Sequence, residues 1–318
     1  MTFIDKKQMI TVAVITYNSS GTVIETLDSI LEQSYGPENI ELIISDDSSI
    51  DDTVIVIRRW LHINEKKFHS VKLFLNKINQ GISKNCNVAW RAASCQWIKT
   101  IAGDDILYPN CILDNVEYID VNKNVAAVFS RMNYFRVDNS GLKEKICILP
   151  KESECYFFEL TAKMQFKYLQ RWGVCGAPSA FLNLAVLRDI GYADERFPMM
   201  EDHPLWFKLT MKGYRLSLLD KVTVGYRSSE SVSFSQSKLI SESFIKQMMR
   251  VDELLIIPVL SKGQIMLKYR KLLWPRLVLI VSRLFSNKVS FFSRSLLFIA
   301  LLFKPGYVTK KLKDYIRL

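Results

Sequence analysis

Two aspartate pairs, each at the end of an apolar run, carry the clearest chemistry of this 318-residue chain. Ile40–Ser45 runs into Asp46 and Asp47, with Asp51 and Asp52 just beyond. Trp97–Ile101 runs through Ala102 and Gly103 into Asp104 and Asp105. Acids at the carboxyl ends of parallel strands stand where open α/β sheets bind ligands. Carboxylates there can hold a hard divalent cation and, through it, a phosphate. The chemistry implied is that of a nucleotide-using enzyme.

The elements that must position these acids alternate over the first 130 residues. Ile10–Thr16 is a short β-branched run ending in Tyr17-Asn18; Ile40–Ile44, Val71–Leu75, Trp97–Ile101 and Val125–Ser130 read as strands too. Thr22–Leu31, Thr53–Leu61, Ser83–Ala93 and Ile112–Ile119 have helical spacing, with Asp51 or Asp52 capping the second. This alternation predicts an α/β fold with a mostly parallel, doubly wound sheet. Beyond it, Tyr134–Val137 and Lys145–Leu149 flank Asp138-Asn139-Ser140-Gly141 as a hairpin. Glu159–Gln170 reads as a helix and Leu216–Val224 as a strand. Leu205–Met211 reads as a helix entered through Glu201-Asp202-His203-Pro204, with the proline in its first turn.

Charge divides the chain unevenly. Residues 1–244 hold 28 Lys+Arg against 29 Asp+Glu, and residues 245–318 hold 15 against 3, so the whole excess of +11 comes from the tail. A neutral body with a basic, apolar tail points to an anionic surface as partner. The longest charge-free stretch there, Ser295–Phe303, is shorter than the roughly 20 residues a spanning helix needs, so interfacial helices are expected. Packing on the body or on a second subunit is the plainer alternative. The tail's bases and aromatics form no nucleic-acid module. Six cysteines without a C-x-x-C pair read as reduced, buried thiols, and three scattered histidines give no His-rich zinc site. The N-terminus has no long apolar h-region, which sets a cytoplasmic body as the expectation.

The ordered motifs are more specific than any one of them. Thr16-Tyr17-Asn18, Ser29–Tyr35, Asp46–Asp51, Asn79-Gln80-Gly81 leading to Asn87, Gly103-Asp104-Asp105 with Pro109, and Glu201-Asp202 follow one another over residues 10–227. In this set the chain resembles the family 2 inverting glycosyltransferases of bacterial surface-polysaccharide type. The resemblance implies a GT-A fold: a Rossmann-like mixed sheet flanked by helices, here followed by a basic, apolar C-terminal helical region. It implies a catalytic domain over 1–240, with a nucleotide-binding half (1–130) and an acceptor half (131–240), and an appended region over 241–318.

The same resemblance assigns roles. Asp105 takes the place of the metal-binding carboxylate, for Mg²⁺ or Mn²⁺, and Asp104 that of a ribose or metal contact. Asp46 and Asp47 match the pair that reads the base; a carboxylate accepts from uracil N3–H, which cytosine lacks, and Asp47 is favoured. Tyr17, between Thr16 and Asn18, would stack on that base. Asp202 is the expected general base, with Glu201 orienting the acceptor or staying structural; His203 could touch acceptor or metal. Departures stand beside these matches. Ala102 replaces a further aspartate, Cys86 stands where an arginine often precedes the second asparagine, and Ser228-Ser229-Glu230 replaces a histidine after Tyr226-Arg227. Lys84, about a turn from Asn87, could stand in for that arginine. Gly173–Ser179 reads equally as an acceptor-pocket wall or a bare turn.

The reading is therefore a metal-dependent transferase moving sugar from a UDP-sugar donor to a glycan hydroxyl. Its expected acceptor is polyprenyl-diphosphate-linked, in O-antigen or capsule assembly, at the cytoplasmic face of the inner membrane, with a homo-oligomer possible and no nucleic acid. A sugar nucleotidyltransferase or a non-catalytic membrane-associated protein on the same fold are the alternatives.

Overall fold

The computed structural model describes residues 7–123, 125–138, 140–228 and 238–308. The chain divides into two compact units, Met1–Phe166 with Val174–Ser228, and Lys167–Gly173 with Ser229–Leu318.

The first unit is built on β1 (Ile10–Thr16), β2 (Ile40–Asp46), β3 (Ser70–Leu75) and β4 (Trp97–Ala102). Every residue of β1 and β2 is buried, as expected of apolar, β-branched strands covered on both faces. β1 runs parallel to β2 on one side and to β4 on the other, and the register sets Thr16 beside Asp46 and Ile15 beside Ala102. Both acidic loops therefore leave the sheet next to the residue where β1 ends. Ile10, Val12 and Val14 pack with Leu27 and Ile30 of helix α1 (Val23–Leu31) and with Ile57 and Trp60 of α2 (Thr53–Asn64). Each such fully buried aliphatic side chain contributes roughly 1.5–3 kcal/mol. Helix α3 (Ile82–Ala92) follows β3, and α4 (Cys111–Val121) follows the two-residue β5 (Ile106–Leu107).

The rest of this unit comprises β6 (Ala127–Val137), β7 (Lys143–Leu149), α5 (Glu152–Glu159), the first part of α6 (Ala162–Leu169, whose residues from Lys167 belong to the second unit), β8 (Phe181–Asn183), α7 (Leu184–Asp189), α8 (Asp202–Met211) and β9 (Leu216–Arg227). The strands form one sheet in the order β3-β2-β1-β4-β8-β6-β9-β5, with β7 paired to β6.

The fold changes three expectations. The sheet is mixed, as the family resemblance implies and not mostly parallel as the alternation alone predicts, because β8 returns between β4 and β6 antiparallel to both, and β5 is antiparallel to β9. β5 and β8 are two and three residues long, too short for a periodic signal. The run expected to end at Ser130 and the separate hairpin strand at Tyr134 are one eleven-residue strand, carried past a register shift at Arg131 by its parallel partner β9. The helix expected over Glu159–Gln170 is Ala162–Leu169, starting later because Leu160 is extended (φ −68°, ψ 152°), and the unforeseen helix Glu152–Glu159 precedes it. The hairpin does form between β6 and β7; its Asn139 lies outside the described residues. None of the six cysteines forms a disulfide; four are buried as expected, while Cys147 is half-buried and Cys175 exposed.

The second unit contains α9 (Glu242–Val251), α10 (Ile265–Leu284) and α11 (Phe291–Leu302). α10 and α11 meet through Trp274, Val278, Val281 and Ala300. Lys271 and Asp252 form a buried ion pair at 2.6 Å. Among the described residues no helix is long and apolar enough to cross a membrane.

Candidate active site

Thr16, the last residue of β1, is buried and its hydroxyl donates to Asp46 Oδ2 at 2.8 Å. Asp46 also accepts from Ser49 N (2.9 Å) and Ser49 Oγ (2.5 Å), so it folds its own loop. Asp47 N donates to Thr16 O at 2.9 Å. The Asp47 carboxylate accepts from Asn76 Nδ2 (3.0 Å), Gln80 N (3.0 Å) and Gly81 N (2.8 Å), and is 3% exposed. Both aspartates at the favoured base-reading position are thus engaged within the chain. Tyr17 beside them is open, at 47% exposure. Asn18, in the left-handed region (φ 50°), donates from its N to Ser49 Oγ and accepts from Ile50 N, which locks the Tyr17 corner to the second acidic loop.

On the other side of β1, Gly103 N donates to Ile15 O at 2.9 Å. A Cβ on Gly103 would lie 2.8 Å from Thr16 Cγ2, so glycine is what lets the Asp104-Asp105 turn approach β1 so closely. Asp105 is 1% exposed. Its Oδ1 accepts from Arg227 N at 2.9 Å, and its Oδ2 is buried with no hydrogen-bond partner among the described residues. Burial, and then the Asp104 charge beside it, hold the Asp105 carboxyl well above the usual carboxylate range. Arg227, at the end of β9, also donates from Nε to Asp104 O (2.8 Å), pairs with Glu25 of α1 and lies over the Phe135 ring. In the sequence Tyr226-Arg227 is only a landmark for an expected histidine, and no local signal gives Arg227 or Glu25 a role.

The third acidic pair reaches the site through α3. Asn85 Nδ2 donates to Thr16 O and Ser45 O, and Ser83 Oγ to Phe197 O at 2.6 Å. Gly81 (φ 88°) opens α3 where a Cβ would lie 2.4 Å from Pro198 O. The loop that leads into α8 is thereby drawn against the start of α3, whose lead-in at Gln80 and Gly81 Asp47 holds. Fully buried Cys86 sits within electrostatic reach of Glu201, Asp202 and Asp47; burial and these three charges push its thiol up. Asp202 opens α8 and its Oδ1 accepts from His203 N at 2.6 Å. Burial raises both the Glu201 and the Asp202 carboxyl, and the Asp202 charge raises Glu201 further. Two carboxyls so placed share protons and titrate as a pair.

Lys84 is half-buried on α3, where its charge acts on Glu195 with Asn87 and Arg91. Among the described residues it makes no hydrogen bond or ion pair with the three acidic sites. Pro178 O, in the segment read as wall or turn, accepts from the buried Lys99 Nζ at 2.7 Å, so that segment is a turn tied to β4. Tyr226 faces the Asp104-Asp105 loop: burial, Cys175 and Asp105 together push its hydroxyl up. Ser229 and Glu230 lie outside the described residues.

A divalent cation fits this chemistry. Asp105 Oδ2 is a desolvated carboxyl oxygen without a hydrogen-bond partner among the described residues, and its ionised form needs a counter-charge. Among the described residues no three His, Cys, Asp or Glu side chains cluster to hold a metal. Coordination would leave most positions of a hard cation to phosphate oxygens and water.

The model of glycosyl transferase family 2 matches residues 11–185, more than half of the chain. The chain belongs to this family. Among curated relatives it is 27% identical over 244 residues to WfaP of Escherichia coli, a UDP-Glc:alpha-D-GlcNAc-diphosphoundecaprenol beta-1,3-glucosyltransferase, covering 74% of this chain and 84% of the relative. It is 24% identical over 233 residues to WfgD of Escherichia coli, which bears the same description, covering 72% and 81%. Among solved structures, Staphylococcus aureus TarS 1-349 with UDP-GlcNAc superposes with a TM-score of 0.60 at 20% identity, over 92% of this chain and 80% of that one. The mannosyltransferase PcManGT of Pyrobaculum calidifontis, with GDP-Man and Mn²⁺, gives 0.58 at 18% identity, over 98% and 85%. At such identities the structures establish the GT-A fold and no more.

Proposed function

We propose that this glycosyltransferase moves a sugar from a UDP-sugar to a hydroxyl of a lipid-linked glycan, with inversion at the anomeric carbon. The observation that carries the reading is Asp105: a buried carboxyl oxygen with no hydrogen-bond partner among the described residues, beside Asp104, past the carboxyl end of β4. Asp105 would hold Mg²⁺ or Mn²⁺, with Asp104 contacting the cation or the donor ribose. The cation supplies Lewis-acid neutralisation of the charge that grows on a departing diphosphate. Tyr17 would cover the uracil ring, with Thr16 and Asn18 fixing that corner. Asp47 and Asp46 shape the base pocket, and an additional bond from uracil N3–H would fall to a remaining carboxylate lone pair. Lys84 would act on the diphosphate at longer range. Asp202 takes the acceptor proton as its oxygen attacks, and its raised pKa suits a base that must hold that proton. Glu201, sharing protons with Asp202, would orient the acceptor hydroxyl.

The relatives WfaP and WfgD support UDP-glucose as donor class and a diphosphoundecaprenol-linked acceptor. An acceptor of that class supports a role in O-antigen or capsule assembly, at the cytoplasmic face of a membrane, as part of the same proposal. The test is UDP release from UDP-glucose in the presence of a synthetic lipid-diphosphate GlcNAc, with Mn²⁺ and with chelator. Cation-dependent UDP release with a glucosylated lipid is expected. Pyrophosphate as product, or transfer unaffected by chelation, overturns the reading.

A further inference from the structure

The second unit carries an apolar surface that its own packing does not use. In α11, Ser293 and Ala300 are buried, with Leu297 and Leu301 packed beside Ala300 against α10. The remaining positions recur at helical spacing on the open side. Phe291 is 79% exposed and Phe292 71%, followed by Leu296, Phe298, Ile299 and Leu302. A water-facing helix normally carries charge on that side, and contiguous exposed apolar surface marks an interaction site. The helix is well formed: Ser290 accepts from Ser293 N in a capping box.

Charge says what covers it. Ile265–Leu302, spanning α10, the connection and α11, holds seven Lys+Arg and no Asp or Glu (Lys268, Arg270, Lys271, Arg276, Arg283, Lys288, Arg294). Lys271 is neutralised by Asp252, Arg276 pairs with Glu253, and Arg270 is bound to carbonyls at the end of α11. Lys268, Arg283, Lys288 and Arg294 remain exposed, two of them flanking Phe291 and Phe292. A second copy would bring the same positive face against this one. An anionic bilayer supplies the missing negative charge and an apolar layer together. Twelve residues of helix rise about 18 Å, well short of the ~30 Å hydrocarbon core, so the helix lies in the interface and does not cross it.

We propose that α11 is an interfacial docking helix for anionic lipid, with Phe291 and Phe292 entering the acyl boundary and Lys288 and Arg294 on the headgroups. This gives residues to the membrane part of the functional reading. Its test uses no sugar nucleotide, so either can fail without the other. The full chain is mixed with phosphatidylglycerol-containing vesicles and, separately, with phosphatidylcholine vesicles, and bound protein is measured by flotation. Expected are binding to the anionic vesicles, a several-fold loss when salt is raised from about 0.1 to 0.5 M, and at least tenfold weaker binding to neutral ones. Phe291→Ser with Phe292→Ser should lower anionic binding at least tenfold at an unchanged melting midpoint. Lys288→Glu with Arg294→Glu, which leaves the apolar face intact, should lower it several-fold. Equal binding by the phenylalanine variant and the parent, equal binding to both vesicles, or no binding at all overturns the proposal. So does a parent dimer, seen by light scattering, that the phenylalanine variant dissolves.

Discussion

Glu41 and Asp105 are buried carboxylates of one sheet, and they live under opposite conditions. Glu41, near the amino end of β2, accepts from Thr11 Oγ1 (2.6 Å), Lys72 Nζ (2.7 Å), Ser94 N (2.9 Å) and Ser94 Oγ (2.9 Å). Burial alone would raise its carboxyl, but these bonds outweigh it and hold it at about 2. Asp105, past the carboxyl end of β4, has one oxygen bonded and one orphaned, and burial holds it high. Beside the amino end of β2 a buried carboxylate is closed on itself, while past the carboxyl end of β4 a buried carboxyl oxygen is left without a hydrogen-bond partner among the described residues. A fold tolerates that cost where a ligand is to supply the counter-charge.

The sharpest way to break this contrast is Asp202→Asn, on the open side. Removing a general base should lower kcat about 10³-fold, about 4 kcal/mol of barrier, measured by UDP release. Because burial already disfavours the Asp202 charge, the melting midpoint should stay level or rise. Turnover retained within a few-fold would remove Asp202 from the chemistry.

Asp105→Asn and Glu41→Gln should then cross. Asp105→Asn is expected to cost about 100-fold or more in turnover while changing stability by less than about 1 kcal/mol, since it deletes a charge the fold does not satisfy. Glu41→Gln should leave kcat untouched below its melting temperature but lower stability by about 3 kcal/mol, leaving Lys72 facing a neutral amide. Urea titrations beside initial rates would read both axes. If the two variants lose the same property, the division between closed and open ends is wrong.

Acid sharpens the contrast further. A carboxyl lowered from 4.5 to about 2 stabilises the fold by about 3 kcal/mol near neutral pH. The sign follows from the depressed value: the contribution is complete above the unfolded value near 4.5, and is lost as pH falls toward 2. The melting midpoint of the parent should therefore drop steeply over that window, and Glu41→Gln should flatten it. Asp105, Glu201 and Asp202 act oppositely. Their raised values penalise the fold as pH climbs and they ionise in place.

What the sequence made legible follows the same division. The β-branched runs of β1, β2 and β4 and the acids after them could be read because a short, continuous apolar run ends in an abrupt change of residue type. The mixed character of the sheet could not, since β8 is three residues long and its antiparallel placement is decided by contacts with β4 and β6 far away in the chain. The acids were legible as types, but not their states. Asp47 looks as open as Asp105 in sequence, yet Asn76, Gln80 and Gly81 occupy it from about thirty residues away. Likewise nothing local to Arg227 reveals that it meets Asp105, 122 residues earlier.

That arginine gives the smallest expected effect. Arg227 grips the Asp104-Asp105 turn twice, through its backbone N to Asp105 Oδ1 and through Nε to Asp104 O, while its guanidinium pairs with Glu25 and stacks on Phe135. Lysine keeps the charge and the backbone bond but loses the planar fork and the stacking. Arg227→Lys should therefore leave the fold intact and lower kcat/KM about tenfold, near 1.4 kcal/mol. It should also raise the Mn²⁺ concentration needed for half-maximal turnover. That shift separates positioning of Asp105 from general support of β9, which would lower stability and leave the Mn²⁺ dependence where it was.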